Sequence, residues 1–192
     1  MKKVFIIHGW SGSPDEPLHK WLASELEKNG FEVEAPRMPD PDYPKIETWV
    51  PKLKEVVGDM PNENIIFIGH SIGCQSILRY LAELKAPGLF GGFAFIAPWL
   101  KVSGLETEEE ESTAKPWVET SFDRKKASEH MPKDKIVAIF SDNDPFVPKE
   151  NWEIFENNFH AKTIVESNKG HFIEDDGVEN LPSALEAVLK MK

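Results

Sequence analysis

A single cysteine, Cys74, occurs in the 192 residues. No intrachain disulfide can form, and no multi-cysteine metal site can be built. Positive charge is also scarce. Lysine and arginine number 22 against 33 acidic residues, a formal net charge of -11 at pH 7. That balance argues against nucleic acid and against an anionic membrane surface as partners, since both need a basic face. Long apolar runs are missing. None approaches the roughly 20 residues that span a bilayer, and Val4-Phe5-Ile6-Ile7 is too short for a signal-peptide core. A cytoplasmic location is therefore expected. Internal repeats, low-complexity tracts and linkers are missing too. A composition of 40% hydrophobic and 29% charged residues fits one soluble globular domain over residues 1–192.

What the chain does contain is a regular alternation. Short β-branched or aromatic runs suggest strands at Val4–His8, Phe31–Ala35, Ile65–His70, Gly92–Ala97, Ile136–Phe140 and Thr163–Val165. Between them lie helical spacings. One runs from Trp21 to the Asn29-Gly30 stop. A second is marked by Ile46, Trp49, Leu53, Val56 and Val57, with Pro51 expected near its first turn. Others are Ser71–Leu84, a stretch through Trp152 and Phe155 ending near His160, and Pro182–Lys190. Prolines 36, 39, 41 and 44 forbid regular structure before the second helix. Residues 99–134 differ from the rest. They form a polar insert or cap without a strand signal, with a helix expected at Ser121–Met131. The run Glu108–Glu111 reads as a solvated face or a mobile loop. Alternating strands and helices imply a parallel sheet covered on both faces, with ligands bound at the carboxyl ends of the strands.

One stretch organises the chain: Ile65-Ile66-Phe67-Ile68-Gly69-His70-Ser71-Ile72-Gly73-Cys74. An apolar strand runs into Gly-x-Ser-x-Gly and then into an amphipathic helix. Such a strained turn lifts a serine hydroxyl clear of the sheet edge, and the glycines let neighbouring segments approach. Ser71 is thus the candidate nucleophile. A base with an ordinary pKa near 6.5 is wanted, and His171 supplies it, in the loop after the last strand. The acid should follow the fifth strand, where Asp142 and Asp144 both stand. Asp144 is preferred, because Asp-Pro-Phe-Val-Pro places it in a stiff turn, and Asp142 is the alternative. The chain order Ser71, Asp144, His171 is the α/β-hydrolase order. Backbone N–H groups of Ile72 and Trp10 are the candidate oxyanion donors.

Four segments carry a family resemblance. They are Ile-Ile-His-Gly-Trp at the start, Gly-His-Ser-Ile-Gly-Cys in the middle, Ser-Asp-Asn-Asp-Pro-Phe-Val-Pro after the fifth strand, and Gly-His-Phe-Ile-Glu-Asp-Asp-Gly after the sixth. Over nearly its whole length the chain resembles the small α/β-hydrolases of the YdeN and retinoblastoma-binding-protein-nine type, a group of compact serine hydrolases. The resemblance implies a three-layer α/β-hydrolase fold with about six parallel strands in the order 2-1-3-4-5-6, helices on both faces and a small insert after strand 4. It places the family's nucleophile on Ser71, its acid on Asp144 and its histidine on His171. It also implies hydrolysis of small carboxylic esters without a cofactor or metal.

Other residues admit plainer readings. His8 and His70, beside glycines at strand ends, are expected to line the cleft floor. Trp99, Trp117 and Phe146 either line an acyl pocket or pack in the core. Cys74 reads as a small core residue. Glu174, Asp175 and Asp176 either favour the N-terminus of the last helix or bias the charge state of His171. Two functional classes follow. The first is a serine hydrolase acting on a small-molecule ester, or on a thioester, amide or small peptide with the same residues. The second is a non-catalytic protein-interaction module on the same fold.

Overall fold

A computed structural model describes residues 1–192. Six strands form one sheet: β1 (Lys3–Ile7), β2 (Glu32–Glu34), β3 (Ile65–His70), β4 (Gly92–Ile96), β5 (Ile136–Ser141) and β6 (Lys162–Glu166). Their order is β2-β1-β3-β4-β5-β6, and every pairing is parallel. The helices are α1 (Pro17–Lys28), α2 (Ile46–Val57), α3 (Ile72–Glu83), α4 (Glu108–Glu119), α5 (Arg124–Ser128), α6 (Glu150–Phe159) and α7 (Pro182–Leu189). One layer is formed by α1 and α7, which pack on each other. The other is the continuous series α2, α3, α5 and α6. The α/β-hydrolase order expected from the sequence is the order found.

The central strands are apolar on both faces, as a sheet covered twice requires. β4 is buried throughout, and β3 is buried from its second residue onward. Phe5, Phe67 and Phe93 stand in register across β1, β3 and β4, and their rings stack at 5.9 and 5.5 Å between centroids. Aromatic pairs at such spacing add about 0.5–1.5 kcal/mol each beyond burial. The edge strand β2 is half open, and Lys3 braces it with Glu32 and Glu34 at 2.9 and 2.8 Å.

All six parallel strands send their loops to one end, and four of these, after β1, β3, β5 and β6, carry the candidate groups. The turn after β3 is the sharpest. Ser71 has φ 52° and ψ -120°, a conformation that costs a non-glycine residue about 1–3 kcal/mol. Neighbouring glycines make the turn possible. A methyl carbon at position 73 would lie 2.4 Å from the Ile7 carbonyl oxygen and 2.7 Å from that of His8. One at position 69 would lie 3.0 Å from the Cys74 backbone and 2.8 Å from Ile77 Cδ1. The helix after the turn therefore packs directly on the end of β1.

Several expectations need correction. Pro51 lies inside α2, past its first turn. The helix expected at Ser121–Met131 shrinks to α5, and an unexpected helix, α4, precedes it. The run Glu108–Glu111 is not a loop but the first turn of α4. Thr107 and Glu110 form a reciprocal capping box there, and four acidic residues face the positive end of the helix. Trp117 belongs to the core: it is buried, packs edge-on against Trp49 and donates its indole N–H to the Pro44 carbonyl at 2.9 Å. Cys74 is a buried free thiol, as expected.

Replacing Gly73 with alanine is expected to lower stability by about 1–3 kcal/mol, the range for overpacking against atoms that cannot move aside. Chemical denaturation tests this, and an unchanged midpoint for Gly73→Ala would contradict the close-approach argument.

Candidate active site

The four loops converge on Ser71. His171 Nε2 lies 2.8 Å from Ser71 Oγ, and His171 Nδ1 lies 2.8 Å from Asp144 Oδ2. Asp144 Oδ1 accepts the N–H groups of Phe146 and Val147, at 2.9 and 3.1 Å. That turn holds the carboxylate and leaves Oδ2 free for the imidazole. Ser71 Oγ also accepts the indole N–H of Trp99 at 3.2 Å. The serine proton is then free to point at Nε2, and Nδ1 carries the proton shared with Asp144. Asp142 stands elsewhere. It is exposed, and its Oδ1 accepts the Asn168 N–H at 2.8 Å. That bond, chiefly, holds its carboxyl below the usual range.

Asp142 belongs to a wider pattern. Each residue from Ser141 to Asp144 bonds to the loop after β6. Ser141 Oγ accepts the Lys169 N–H, Asp142 accepts that of Asn168, Asn143 Oδ1 accepts that of Gly170, and Asp144 meets the His171 ring. From the far side, Asp176 Oδ2 accepts the His171 N–H at 2.7 Å. Gly170, at φ 50°, lies against that carboxylate, where a methyl carbon would be 2.2 Å from Asp176 Cγ. His70 Nε2–H donates to the His171 carbonyl at 2.9 Å. The imidazole is thus fixed at ring and backbone together. Glu174–Asp176 form a 3-10 turn of their own rather than flanking the last helix, and Asp176 acts on the His171 backbone.

Above Ser71 lies a cavity of about 460 Å³. Trp10, Tyr43, Trp99, Val102, Leu105 and Phe146 give it apolar walls. Glu16, Asp42, Glu109 and Glu110 give it an acidic rim, and no lysine or arginine lines it. Phe146 stands edge-on to the His171 ring at 5.2 Å. Residues 105 to 113 bring the start of α4 to the cavity, so the insert after β4 forms one of its walls. Trp10 lines the cavity; its indole N–H donates to the Asp42 carbonyl at 3.0 Å, and its backbone N–H donates to no protein group. That of Ile72, first residue of α3, lies beyond reach of any intrahelical acceptor.

Of the expected pocket residues, His70, Trp99 and Phe146 line the cavity. His8 and Trp117 do not. His8 is buried below it, takes the Met38 N–H on Nε2 at 3.0 Å and donates Nδ1–H to the Gly9 carbonyl at 2.8 Å. Its role is to tie the loop after β1 to the proline-rich segment. The sequence reading named Asp176 only for its charge, and it did not single out Glu16 or Tyr43, nor the donor role of Trp99. Only Asp176 had a local signal, its acidic turn after His171.

A family model described as serine hydrolase matches residues 4–190. The YdeN protein of Bacillus subtilis is 29% identical over 182 residues, covering 94% of this chain and 91% of that protein. The serine hydrolase RBBP9 of Rattus norvegicus is 28% identical over 86% of this chain and 78% of its own length. The crystal structure of the Bacillus subtilis ydeN product superposes with a TM-score of 0.86 at 26% identity, covering 100% of this chain and 98% of that one. Est1E of Butyrivibrio proteoclasticus shares the fold, with a TM-score of 0.70 at 15% identity.

Burial beneath the site has a consequence for stability. It lowers the pKa of His8, and lowers that of His70 well below the ordinary value, with His171 and His19 adding repulsion at His70. In the unfolded chain both imidazoles protonate near about 6.5, whereas the folded chain resists protonation until lower pH. Acidification through that window protonates the unfolded chain first, so stability falls as pH drops. The fall in melting temperature from about pH 7.5 to about pH 5.5 is expected to be smaller in His8→Gln than in the native chain. An equal fall in both would contradict this.

Proposed function

The chain belongs to the serine hydrolase family, and on that premise we propose that it is a carboxylesterase acting on small acyl esters. Ser71 is its nucleophile, His171 its base and Asp144 its orienting acid. The observation that carries this reading is the unbroken path from Asp144 Oδ2 through the His171 ring to Ser71 Oγ, with both spacings at 2.8 Å, opening into an apolar-walled cavity.

The chemistry follows from the positions. Ser71 Oγ attacks the ester carbonyl carbon, and its proton passes to His171 Nε2. The developing oxyanion meets the N–H groups of Trp10 and Ile72. A donor of this kind is worth about 100- to 1,000-fold in rate. Asp144 stabilises the imidazolium, which then protonates the departing alcohol and leaves an acyl-serine. Water gives a proton to the same nitrogen and attacks the acyl carbon; the bond to Ser71 Oγ then breaks, that oxygen takes the proton back, and the acid is released. Thioesters, amides and small peptides differ only in the group that departs. A purely binding role leaves unexplained the strained backbone of Ser71 and the six hydrogen bonds that join His171 and Asp144 to it and fix them in place.

A fluorophosphonate probe is expected to label the native protein and not Ser71→Ala; equal labelling of both would overturn the nucleophile assignment. A series of p-nitrophenyl esters of graded chain length then measures the acyl pocket, and no turnover of any member would overturn the esterase reading. On a substrate so found, Asp144→Asn is expected to cost up to about 10⁴-fold in kcat, and Asp142→Asn far less. The reverse ranking would move the acid to Asp142.

A further inference from the structure

Beside the reacting groups lies a second cluster, of which the hydrolytic machinery uses only the His70 Nε2–H bond to His171. Glu16, His19 and His70 each bring one donor atom to within 4.8 Å of the others. Both histidines are buried. We propose that these three residues form a binding site for a divalent transition-metal ion of the zinc class. The proposal does not rest on the esterase reading.

The hydrogen bonds assign the ring protons. His70 Nε2 faces the His171 carbonyl oxygen at 2.9 Å, and a carbonyl only accepts, so Nε2 carries the proton. His70 Nδ1 is therefore a bare lone pair, and it is buried without a partner. His19 Nδ1 faces two acceptors, the Ser13 carbonyl at 2.9 Å and Glu16 Oε2 at 3.0 Å, so Nδ1 carries its proton. His19 Nε2 is the second lone pair buried without a partner. The two rings lie 5.7 Å apart between centroids. Two buried acceptors near one carboxylate, with no protein donor to satisfy them, are costly in a dry site and suit a cation.

The surroundings match metal coordination in three further respects. A metal-bound histidine almost always donates its other ring N–H to a backbone carbonyl or a carboxylate, which fixes the tautomer and the ring plane. His70 and His19 both do this. Two imidazoles and one carboxylate are also a donor set that zinc accepts while keeping a fourth position open. One donor atom from each residue lies within 4.8 Å of the others, close enough for the three side chains to share one ion after an inward shift. Access is also provided, since Glu16 and His70 both line the cavity, whose rim adds Asp42 and Glu109 and no lysine or arginine.

Chelator-stripped protein titrated with Zn²⁺ in a calorimeter is expected to bind a single ion per chain. Co²⁺ at the same site is expected to give the visible absorption of a distorted tetrahedral ion, displaced by Zn²⁺. Glu16→Gln and His19→Gln are each expected to weaken Zn²⁺ at least about tenfold, while His160→Gln, on the exposed surface, binds as the native chain does. Circular dichroism checks that each variant is folded. Should His19→Gln fail to fold, Glu16→Gln carries the test, because that side chain is one-third exposed. Absence of a 1:1 isotherm in the native chain would overturn the proposal. So would an isotherm that both glutamine variants leave unchanged, which would place the ion elsewhere.

Discussion

The close approach of α3 to the end of β1 is the constraint on which the rest depends. At Gly73 the backbone passes so near the Ile7 and His8 carbonyls that no β-carbon fits. That contact lets the chain leave β3 and enter a helix within one residue, and the residue in between, Ser71, is forced into the left-handed region. Strain of this kind persists only where the surroundings over-determine it. Here they do. Ser71 N–H donates to the Ile96 carbonyl, Cys74 N–H closes on the Ser71 carbonyl, and the fully buried start of α3 leaves the turn no room to relax.

The same logic governs the histidine. A loop after an edge strand is ordinarily among the more mobile parts of a protein, and β6 is the edge. His171 escapes this because the loop after β5 contacts its own loop residue by residue, from Ser141 to Asp144. Asp176 and His70 hold its backbone from two further directions. Asp144 is held in turn by two backbone N–H groups. The ring therefore meets Ser71 already oriented, and little reorganisation is left for the moment of reaction.

The cavity owes its wall to the insert after β4. Its helix α4 is docked through its carbonyls: Arg79 donates to those of Trp117 and Thr120, and Gln75 donates to that of Trp117. Burial lowers the Arg79 pKa to about 10, with Arg124 adding repulsion. The guanidinium also lies over the rings of Trp117 and Phe122, which offset part of its lost hydration. A core residue, Trp117, thus anchors a helix whose other end faces the site.

The sequence by itself determined the sheet, because strands buried on both faces are written as contiguous apolar runs, and it determined the elbow, because glycine, serine and glycine at fixed spacing follow directly from local backbone sterics. It also determined the order of Ser71, Asp144 and His171, since loops after parallel strands all emerge at one end. Tertiary structure alone decided what depends on partners far along the chain. The proline after Asp144 favours it over Asp142 but leaves both open as text, and they separate in space because one carboxylate meets a ring 27 residues away while the other clamps Asn168. Trp99 and Trp117 are both tryptophans of one polar insert, yet one touches Ser71 and the other fills the core. Helix α4 escaped the reading because its four leading glutamates resemble a solvated run, and its stability comes from a cap and from Arg79, on a helix that precedes it by 25 residues or more. The meeting of Glu16, His19 and His70 is of the same kind. Helix α1 and strand β3 bring them together, and no local pattern of residues announces it.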